Sequence, residues 1–253
     1  MSAKKQNDLI NKLYKVSKKH YEYQKPPSNR AVLEHMLYGA CLENSTFEAA
    51  DEVLAKLQEN YCDWNEVRVT TADELAEVGK SLAEPRPAAM SVKRTLFGVF
   101  EKYFQYDIDF LKKENLSKAV EAFEKFKGVP PFVVSYVAQN GLGGHSIPLD
   151  RSMLSLFYVL GIISEEEAMQ RKVPGLERTI PKAKGAEFFA VVHQLAVAFA
   201  TTPFSTTVRK ILTDINPEAK ERFPKRASRK KTTSKPEKPA DSGATETKAA
   251  KAT

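Results

Sequence analysis

The sequence contains little cysteine. Cys41 and Cys62 are the two cysteines among its 253 residues. Two thiols cannot form a disulfide framework, a four-cysteine zinc site or an iron–sulfur cluster held by cysteines alone. This low cysteine content is typical of proteins from a reducing compartment.

Long apolar runs are also scarce. The sequence starts MSAKKQNDLINK, without the apolar core of a secretory signal. The most apolar stretch, 188–200, contains His193 and Gln194 and is too short to cross a bilayer. We therefore expect an intracellular protein of the cytoplasm or nucleoid, or of the nucleus in a eukaryote, with no membrane partner. The 11 glycines and 14 prolines are too few and too scattered for a fibrous or repeat protein.

Hydrophobic residues make up 42% and charged residues 28% of the chain, which excludes disorder throughout. The net charge of +7 is concentrated at the two ends. Residues 1–25 carry seven lysines and two acids, residues 225–253 carry nine basic residues and three acids, and residues 26–224 are net acidic. Basic ends suggest a polyanionic partner or serve only solubility, and charge alone does not separate nucleic acid from membrane.

The C-terminal segment, residues 225–253, is rich in Lys, Ala and Pro and lacks large apolar side chains. It has nothing to bury, so we expect a disordered basic tail. Its expected role is nonspecific contact with nucleic-acid phosphates, and the alternative is a solvated linker.

Apolar residues recur at helical spacing along most of the remaining chain. The clearest stripes include Leu9–Tyr14, Phe47–Leu57, Leu116–Phe126, Met153–Leu160 and Phe188–Phe199. Strand-like alternation is absent. We therefore predict an all-α protein of about ten helices, with a basic N-terminal helix in 1–28 and a two-lobed domain in 29–224.

The most informative segment is 116–161. It predicts a helical hairpin at about 116–140: one helix ends at Lys127, a turn follows at Gly128–Pro130, and a second helix opens with two prolines. Helix starts of this kind bind phosphate through free N–H groups. A glycine-rich loop then leads to Asp150, which opens the next helix.

This pattern resembles the helix-hairpin-helix DNA glycosylases of the endonuclease III superfamily. The spacing from Gly128 to Asp150 fits endonuclease III without a gap, and residues 30–57 are similar to the first paired helices of its six-helix lobe. The resemblance covers 29–215. It implies the two-lobed glycosylase fold and double-stranded DNA as partner. The residues implied to contact DNA are Lys127, Gly128, Val129, Pro130, Phe132 and Val133.

By this resemblance Asp150 takes the place of the catalytic aspartate. A carboxylate there stabilises the oxocarbenium character of the sugar and orients or deprotonates the attacking water. The alternative from the residues alone is an ordinary helix N-cap, and the two roles are compatible.

Three departures qualify the implied activity. Bifunctional members carry a lysine that forms a Schiff base eighteen residues before the aspartate, where this chain has Phe132. Phe132 cannot form an imine, so β-lyase activity is not expected; its ring stacks on a flipped base or packs in the core. Pro130 replaces the second hairpin glycine and has no N–H for a phosphate. Residues 200–212 contain no cysteine, so no iron–sulfur cluster or other cofactor is expected.

Weaker correspondences complete the implied site. Cys41 takes the place of a glutamine that fills the gap left by a flipped base, with Asn44 or Glu43 as substitutes. Leu82 is the candidate wedge into the base stack, and Arg86 the candidate phosphate contact.

The histidines share no metal-ligand spacing with cysteines or acids, so no metal site is predicted. His193, on a strongly apolar helix, is expected to be a packed core histidine.

The sequence therefore predicts a monofunctional DNA glycosylase of base excision repair, which flips a damaged base and hydrolyses its glycosidic bond. A non-catalytic DNA-binding or chromatin-associated protein on the same fold is the alternative, and a helical protein-interaction module is a third. An open, base-sized pocket at Asp150 would favour the enzyme.

Overall fold

The structure is a computed structural model that describes residues 3–27 and 29–225. The predicted tail lies outside the described residues, apart from Lys225. The α-helices are α1 Ala3–His20, α2 Val32–Leu42, α3 Phe47–Asn60, α4 Trp64–Val69, α5 Ala72–Val78, α6 Pro85–Tyr103, α7 Leu116–Glu124, α8 Pro131–Asn140, α9 Arg151–Val159, α10 Glu165–Met169, α11 Leu176–Thr179, α12 Lys182–Thr201 and α13 Thr206–Ile215. Two 3₁₀ helices, Asp109–Lys113 and Pro217–Arg222, complete the regular structure of these residues.

The all-α prediction is confirmed, and no strand occurs in the described ranges. The structure has more helices than the ten expected, because four of them have only four to seven residues. A helix of this length has too few residues to show a recurring apolar stripe in the sequence. Local caps mark three of them instead: the side chains of Asp63, Thr71 and Ser164 each accept a backbone N–H of the first turn. Within the described residues, no helix has the length and apolarity to span a bilayer.

The helices form two lobes that are not consecutive in the chain. Helices α2 to α8 pack into the first lobe, and α1 packs with α9 to α13 into the second. The N-terminal helix predicted in 1–28 therefore belongs to the second lobe. Its Ile10 and Leu13 are fully buried, and Lys18 Nζ lies 2.6 Å from Glu187 Oε1 on α12.

The predicted hairpin is formed by α7 and α8. Helix α7 ends at Glu124, earlier than the expected Lys127, because the chain turns there and directs Phe126 against α6. Gly128 adopts a left-handed conformation with φ 77°, which glycine takes without strain. Pro130 is the N-cap and Pro131 the first residue of α8, as the paired prolines predict.

Gly98 allows α6 and the hairpin to approach closely. A Cβ atom on Gly98 would lie 2.6 Å from Cγ of Phe126, closer than side chains pack without a shift. The aromatic ring therefore occupies the space that a larger residue would need.

Gly98→Ala is expected to destabilise the protein by about 1–3 kcal/mol, the usual cost of overpacking a core. Urea unfolding followed by far-ultraviolet circular dichroism measures this change. Gly185→Ala is the matched control, since Gly185 also lies within a helix but its Cβ would meet its nearest neighbour at 3.4 Å. Equal free energies of unfolding for the two variants would contradict the close approach of Gly98 to Phe126.

Candidate active site between the two lobes

Asp150 is the N-cap of α9 and lies where the two lobes meet. Its Oδ1 accepts a hydrogen bond from the backbone N–H of Met153 at 2.7 Å, which confirms the predicted cap. Its side chain is fully buried. A buried carboxylate is costly unless hydrogen bonds and charges satisfy it, so its other partners define the site.

Asn44 connects Asp150 to the first lobe. The backbone N–H of Asn44, just past the end of α2, donates to Asp150 Oδ2 at 3.0 Å. Its side-chain Oδ1 in turn accepts from Ser152 N and Ser152 Oγ, both at 3.1 Å. Asn44 has φ 60°, a left-handed conformation that asparagine tolerates better than most residues. This turn directs its amide and its side chain to the same helix start.

His193 on α12 is the third partner of Asp150. Its Nδ1 lies 3.2 Å from Asp150 Oδ2, and its Nε2 lies 2.9 Å from the carbonyl oxygen of Ser45. The ring is fully buried, in agreement with the expected core histidine, but the expectation missed the carboxylate beside it. Nothing in the local sequence pairs these two residues, because helix packing alone brings them together.

The charge state of Asp150 follows from these contacts. Burial by itself would raise the pKa of the carboxyl group, but the nearby His193 and the N–H donors of Met153 and Asn44 outweigh it. The pKa of Asp150 is therefore below its ordinary value, and the group is a carboxylate at neutral pH. Glu43 differs, since burial raises its pKa more than Arg171 lowers it.

Phe132 fills the position where the resemblance implies a lysine in bifunctional enzymes. It is buried on α8, and its ring is nearly parallel to that of His193, with centroids 6.2 Å apart. The rings of Tyr136 and Phe189 lie 6.3 and 6.0 Å from it. Phe47 covers another side of His193 at 5.5 Å. Phe132 is therefore a packed core side chain, only 1% exposed, within a cluster of aromatic rings.

A cavity of about 680 Å³ lies next to Asp150 without reaching it. Its wall includes Asn44 and two ion pairs between the lobes. Arg151 lies 2.9 Å from Glu84, and Arg171 lies 3.3 Å from Glu43. Asn44 Nδ2 also donates to Glu84 at 3.0 Å. Asn44 and its ion-paired neighbours therefore lie between the carboxylate and the cavity.

The hairpin brings some of the predicted DNA contacts together. Lys127 and Gly128 are exposed at its turn, where Arg94 Nη1 lies 3.5 Å from the Gly128 carbonyl oxygen. Arg94 was not predicted, because it belongs to α6. The remaining predicted hairpin residues are partly or fully buried. The N–H groups of Val129 and Val133 already donate to Phe126 and Pro130, at 3.3 and 3.0 Å.

The other predicted site residues lie in the first lobe, apart from Asp150. Cys41 and Leu82 are both buried and line the same small core void. Leu82 would have to leave this core to enter a base stack. Arg86 is exposed and forms an ion pair with Asp73. No group of three or more histidine, cysteine or acidic side chains is placed to hold a metal ion in 3–27 and 29–225.

Asp150→Asn is expected to lower the free energy of unfolding by about 1–3 kcal/mol, because an amide nitrogen replaces one carboxylate oxygen and leaves the buried N–H of Asn44 or Met153 without its acceptor. Denaturant unfolding at pH 7 measures the loss. Asp214→Asn is the control: Asp214 is exposed on α13, so its substitution should change stability by less than about 0.5 kcal/mol. Equal effects of the two substitutions would contradict the role of Asp150 as a buried, hydrogen-bonded carboxyl group.

The loss of stability in Asp150→Asn is expected to depend on pH. Folding lowers the pKa of Asp150, so its stabilisation is present above the unfolded value of about 3.9 and is lost as the pH falls through the lower folded value. The stability difference between wild type and Asp150→Asn should therefore shrink below about pH 4. A difference that is constant down to pH 2 would contradict the lowered pKa.

Comparison with known proteins agrees with this architecture. No family model matches the chain, and no curated protein matches its sequence. The structure is similar to a thermostable thymine-DNA glycosylase, with 13% identity and a TM-score of 0.59 over 87% of this chain and 100% of that one. It is also similar to endonuclease III trapped in a covalent intermediate with DNA, with 17% identity and a TM-score of 0.56 over 88% of this chain and 100% of that one. The chain thus has the helix-hairpin-helix DNA glycosylase fold.

Proposed function

We propose that the protein is a monofunctional DNA glycosylase that removes a damaged base from double-stranded DNA. The observation that carries this proposal is an ionised carboxylate, Asp150, at the start of α9 and at the junction of the lobes. This is the position that the resemblance gives to the catalytic aspartate. The fold shared with two DNA glycosylases supports the same assignment.

The proposed chemistry is hydrolysis of the bond between the base and C1′ of its sugar. As that bond breaks, the base takes the bonding electrons and C1′ becomes positively charged. The Asp150 carboxylate stabilises this charge and accepts the proton of the water that adds to C1′. Phe132 offers no amine for an imine, so the product is an abasic site in an intact strand.

This reaction needs a carboxylate oxygen that substrate can reach. In the described structure Oδ2 accepts from Asn44 and faces His193, while Oδ1 accepts from Met153. We propose that bound DNA displaces the Asn44 turn and opens Oδ2 to the adjacent cavity of about 680 Å³. Phosphates that compete for Arg151 and Arg171 would weaken the ion pairs that connect the lobes there.

DNA binding at the hairpin is proposed to use side chains more than backbone amides. Two prolines at the start of α8 lack an N–H, and the amides of Val129 and Val133 have partners within the hairpin. Exposed Lys127 and Arg94 supply positive charge at the same turn. The basic tail 225–253 is proposed to add nonspecific contacts.

Lys127→Glu is expected to weaken binding to duplexes of any sequence and to reduce the slope of log K against log salt concentration by about 1. Fluorescence anisotropy at several salt concentrations measures both quantities. Lys210→Glu, the same charge change at an exposed position of α13, is the control and should have a smaller effect. Equal effects of both variants would argue against the hairpin as the contact surface.

Catalysis is tested by single-turnover assays of wild type and Asp150→Asn on duplexes that carry uracil, alkylated or oxidised bases. Each reaction is divided and developed with and without alkali. The proposal predicts strand breaks that require alkali and fall by at least about 100-fold in the variant, the lower end of the range that general-base and electrostatic groups contribute. Strand breaks without alkali would contradict the monofunctional assignment.

A specific observation favours a second candidate, a non-catalytic DNA-binding protein on the same fold. Asp150 is fully covered, and Phe132 packs where a reactive lysine is implied in the lyase members. Here Asp150 would only cap α9 and join the lobes. Intact DNA binding by wild type, with no base released from any substrate, would establish this second function.

A further inference from the structure

We propose that helix α1 carries a second binding surface for the phosphates of duplex DNA, separate from the hairpin. The surface is formed by three exposed lysines, Lys12, Lys15 and Lys19, which we call the lysine stripe. The choice of duplex DNA as the polyanion rests on the proposed function, whereas the anion-binding character of α1 does not.

The lysine stripe occupies one face of α1. Its members are three and four residues apart, a spacing that brings side chains to the same side of a helix. The other side of the helix is buried through Leu9, Ile10, Leu13 and Ser17. Because that side packs on α12 and α13, the helix is fixed and the lysine stripe is held toward solvent.

The lysine stripe has no acidic partner among the residues that the structure describes. Two other lysines of α1 form ion pairs, Lys5 with Glu218 at 3.5 Å and Lys18 with Glu187 at 2.6 Å. Like charges three and four residues apart repel one another and weaken a helix. Helix stability therefore gives no reason for this arrangement, and a bound polyanion would remove the repulsion.

The acids closest in sequence and packing do not neutralise the lysine stripe. Asp8 is the only acid within Ala3–His20. Glu187 on α12 already accepts hydrogen bonds from Lys18 and Tyr14, which hold the pKa of its carboxyl group below its ordinary value. The charge of this face of α1 therefore stays positive.

The packing of α1 favours nucleic acid over a membrane as the partner. A basic amphipathic helix binds a bilayer by burying its apolar side at the level of the lipid head groups. In this protein α12 and α13 cover the apolar side, so α1 offers charge alone. Charge alone is sufficient for phosphates of a duplex, where lysines bind by releasing condensed counterions.

The lysine stripe and the hairpin belong to different lobes. Helix α1 packs into the second lobe, whereas α7 and α8 belong to the first. A duplex that contacts both surfaces would be held by both lobes. Since no residue is shared between the two surfaces, their contributions to binding should add.

The surface is tested with the full-length protein and an undamaged duplex, by fluorescence anisotropy at several salt concentrations. In the triple variant Lys12→Gln/Lys15→Gln/Lys19→Gln, the slope of log K against log salt concentration should fall by about 0.9 for each lysine that contacts a phosphate, about 2.7 in all. Lys113→Gln/Lys210→Gln/Lys220→Gln is the matched control, with the same charge change at exposed positions outside α1. An unchanged slope in the stripe variant, or an equal fall in the control, would overturn the inference.

Two further measurements exclude other causes of a weaker complex. Substitution of the same three lysines by arginine should preserve the slope, because the charge is kept. The glutamine variant should unfold at an equal or higher urea concentration than wild type, because the repulsion between lysines is gone. If it fails to fold, Lys15→Gln alone is used, with an expected fall in slope of about 0.9.

The membrane alternative is tested by sedimentation with vesicles of phosphatidylserine and phosphatidylcholine. The inference predicts that wild type and the glutamine variant stay in the supernatant equally. Sedimentation of wild type that is lost in the glutamine variant, while duplex binding is unchanged, would assign the lysine stripe to a membrane and overturn the inference.

The outcomes separate this inference from the proposed function. A reduced salt slope in the glutamine variant of a protein that releases no base would support the lysine stripe and refute the glycosylase. Base release by wild type with an unchanged slope in the variant would do the opposite. Because the lysine stripe is separate from Asp150, the rate of base release at saturating protein should be the same in the variant and in wild type.

Discussion

The arrangement between the lobes depends on satisfying one buried carboxylate. Asp150 lies out of contact with water, where an unpaired charge would cost several kcal/mol. The helix start of α9 and the turn at Asn44 each donate a backbone N–H to it, and the ring of His193 packs beside it with Nδ1 3.2 Å from Oδ2. These three partners come from three segments of the chain. The carboxylate therefore both caps a helix and fixes how the first lobe meets the second.

Much of the local structure was predictable because its causes are local. The stripes of α1 and α3, the two prolines at the start of α8 and the aspartate cap of α9 depend on residues within one or two turns. The hairpin also follows from nearby glycine and proline. Its first helix ends early, at Glu124, because Phe126 packs against Gly98 of α6, a residue distant in sequence.

The parts of the site that sequence reasoning missed all depend on contacts between distant segments. His193 has the pattern of a core residue, and its pairing with Asp150 arises only when α12 packs on α9. The left-handed turn of Asn44 has no glycine to mark it. The packing of α1 into the second lobe also depends on its partners and not on its own stripe.

The fold and the chemistry are separate conclusions. TM-scores of 0.59 and 0.56 to solved DNA glycosylases establish the architecture, whereas the proposed activity depends on whether the covered Asp150 carboxylate becomes accessible. By the resemblance, Phe132 stands where lyase members carry an amine, and its ring packs against His193. The proposed glycosylase needs DNA to displace the Asn44 turn, whereas the alternative, a non-catalytic DNA-binding protein, does not.

The most direct test of this account is hydrogen exchange of the Asn44 backbone amide, the group that donates to Asp150 Oδ2 at 3.0 Å. Exchange is measured for the free protein and for its complex with a duplex that carries an abasic-site analogue. The amide of Met153 within the α9 cap serves as the internal reference. The account predicts that DNA accelerates exchange at Asn44 while Met153 remains protected. Equal or greater protection of Asn44 in the complex would contradict it and leave Asp150 as a structural residue.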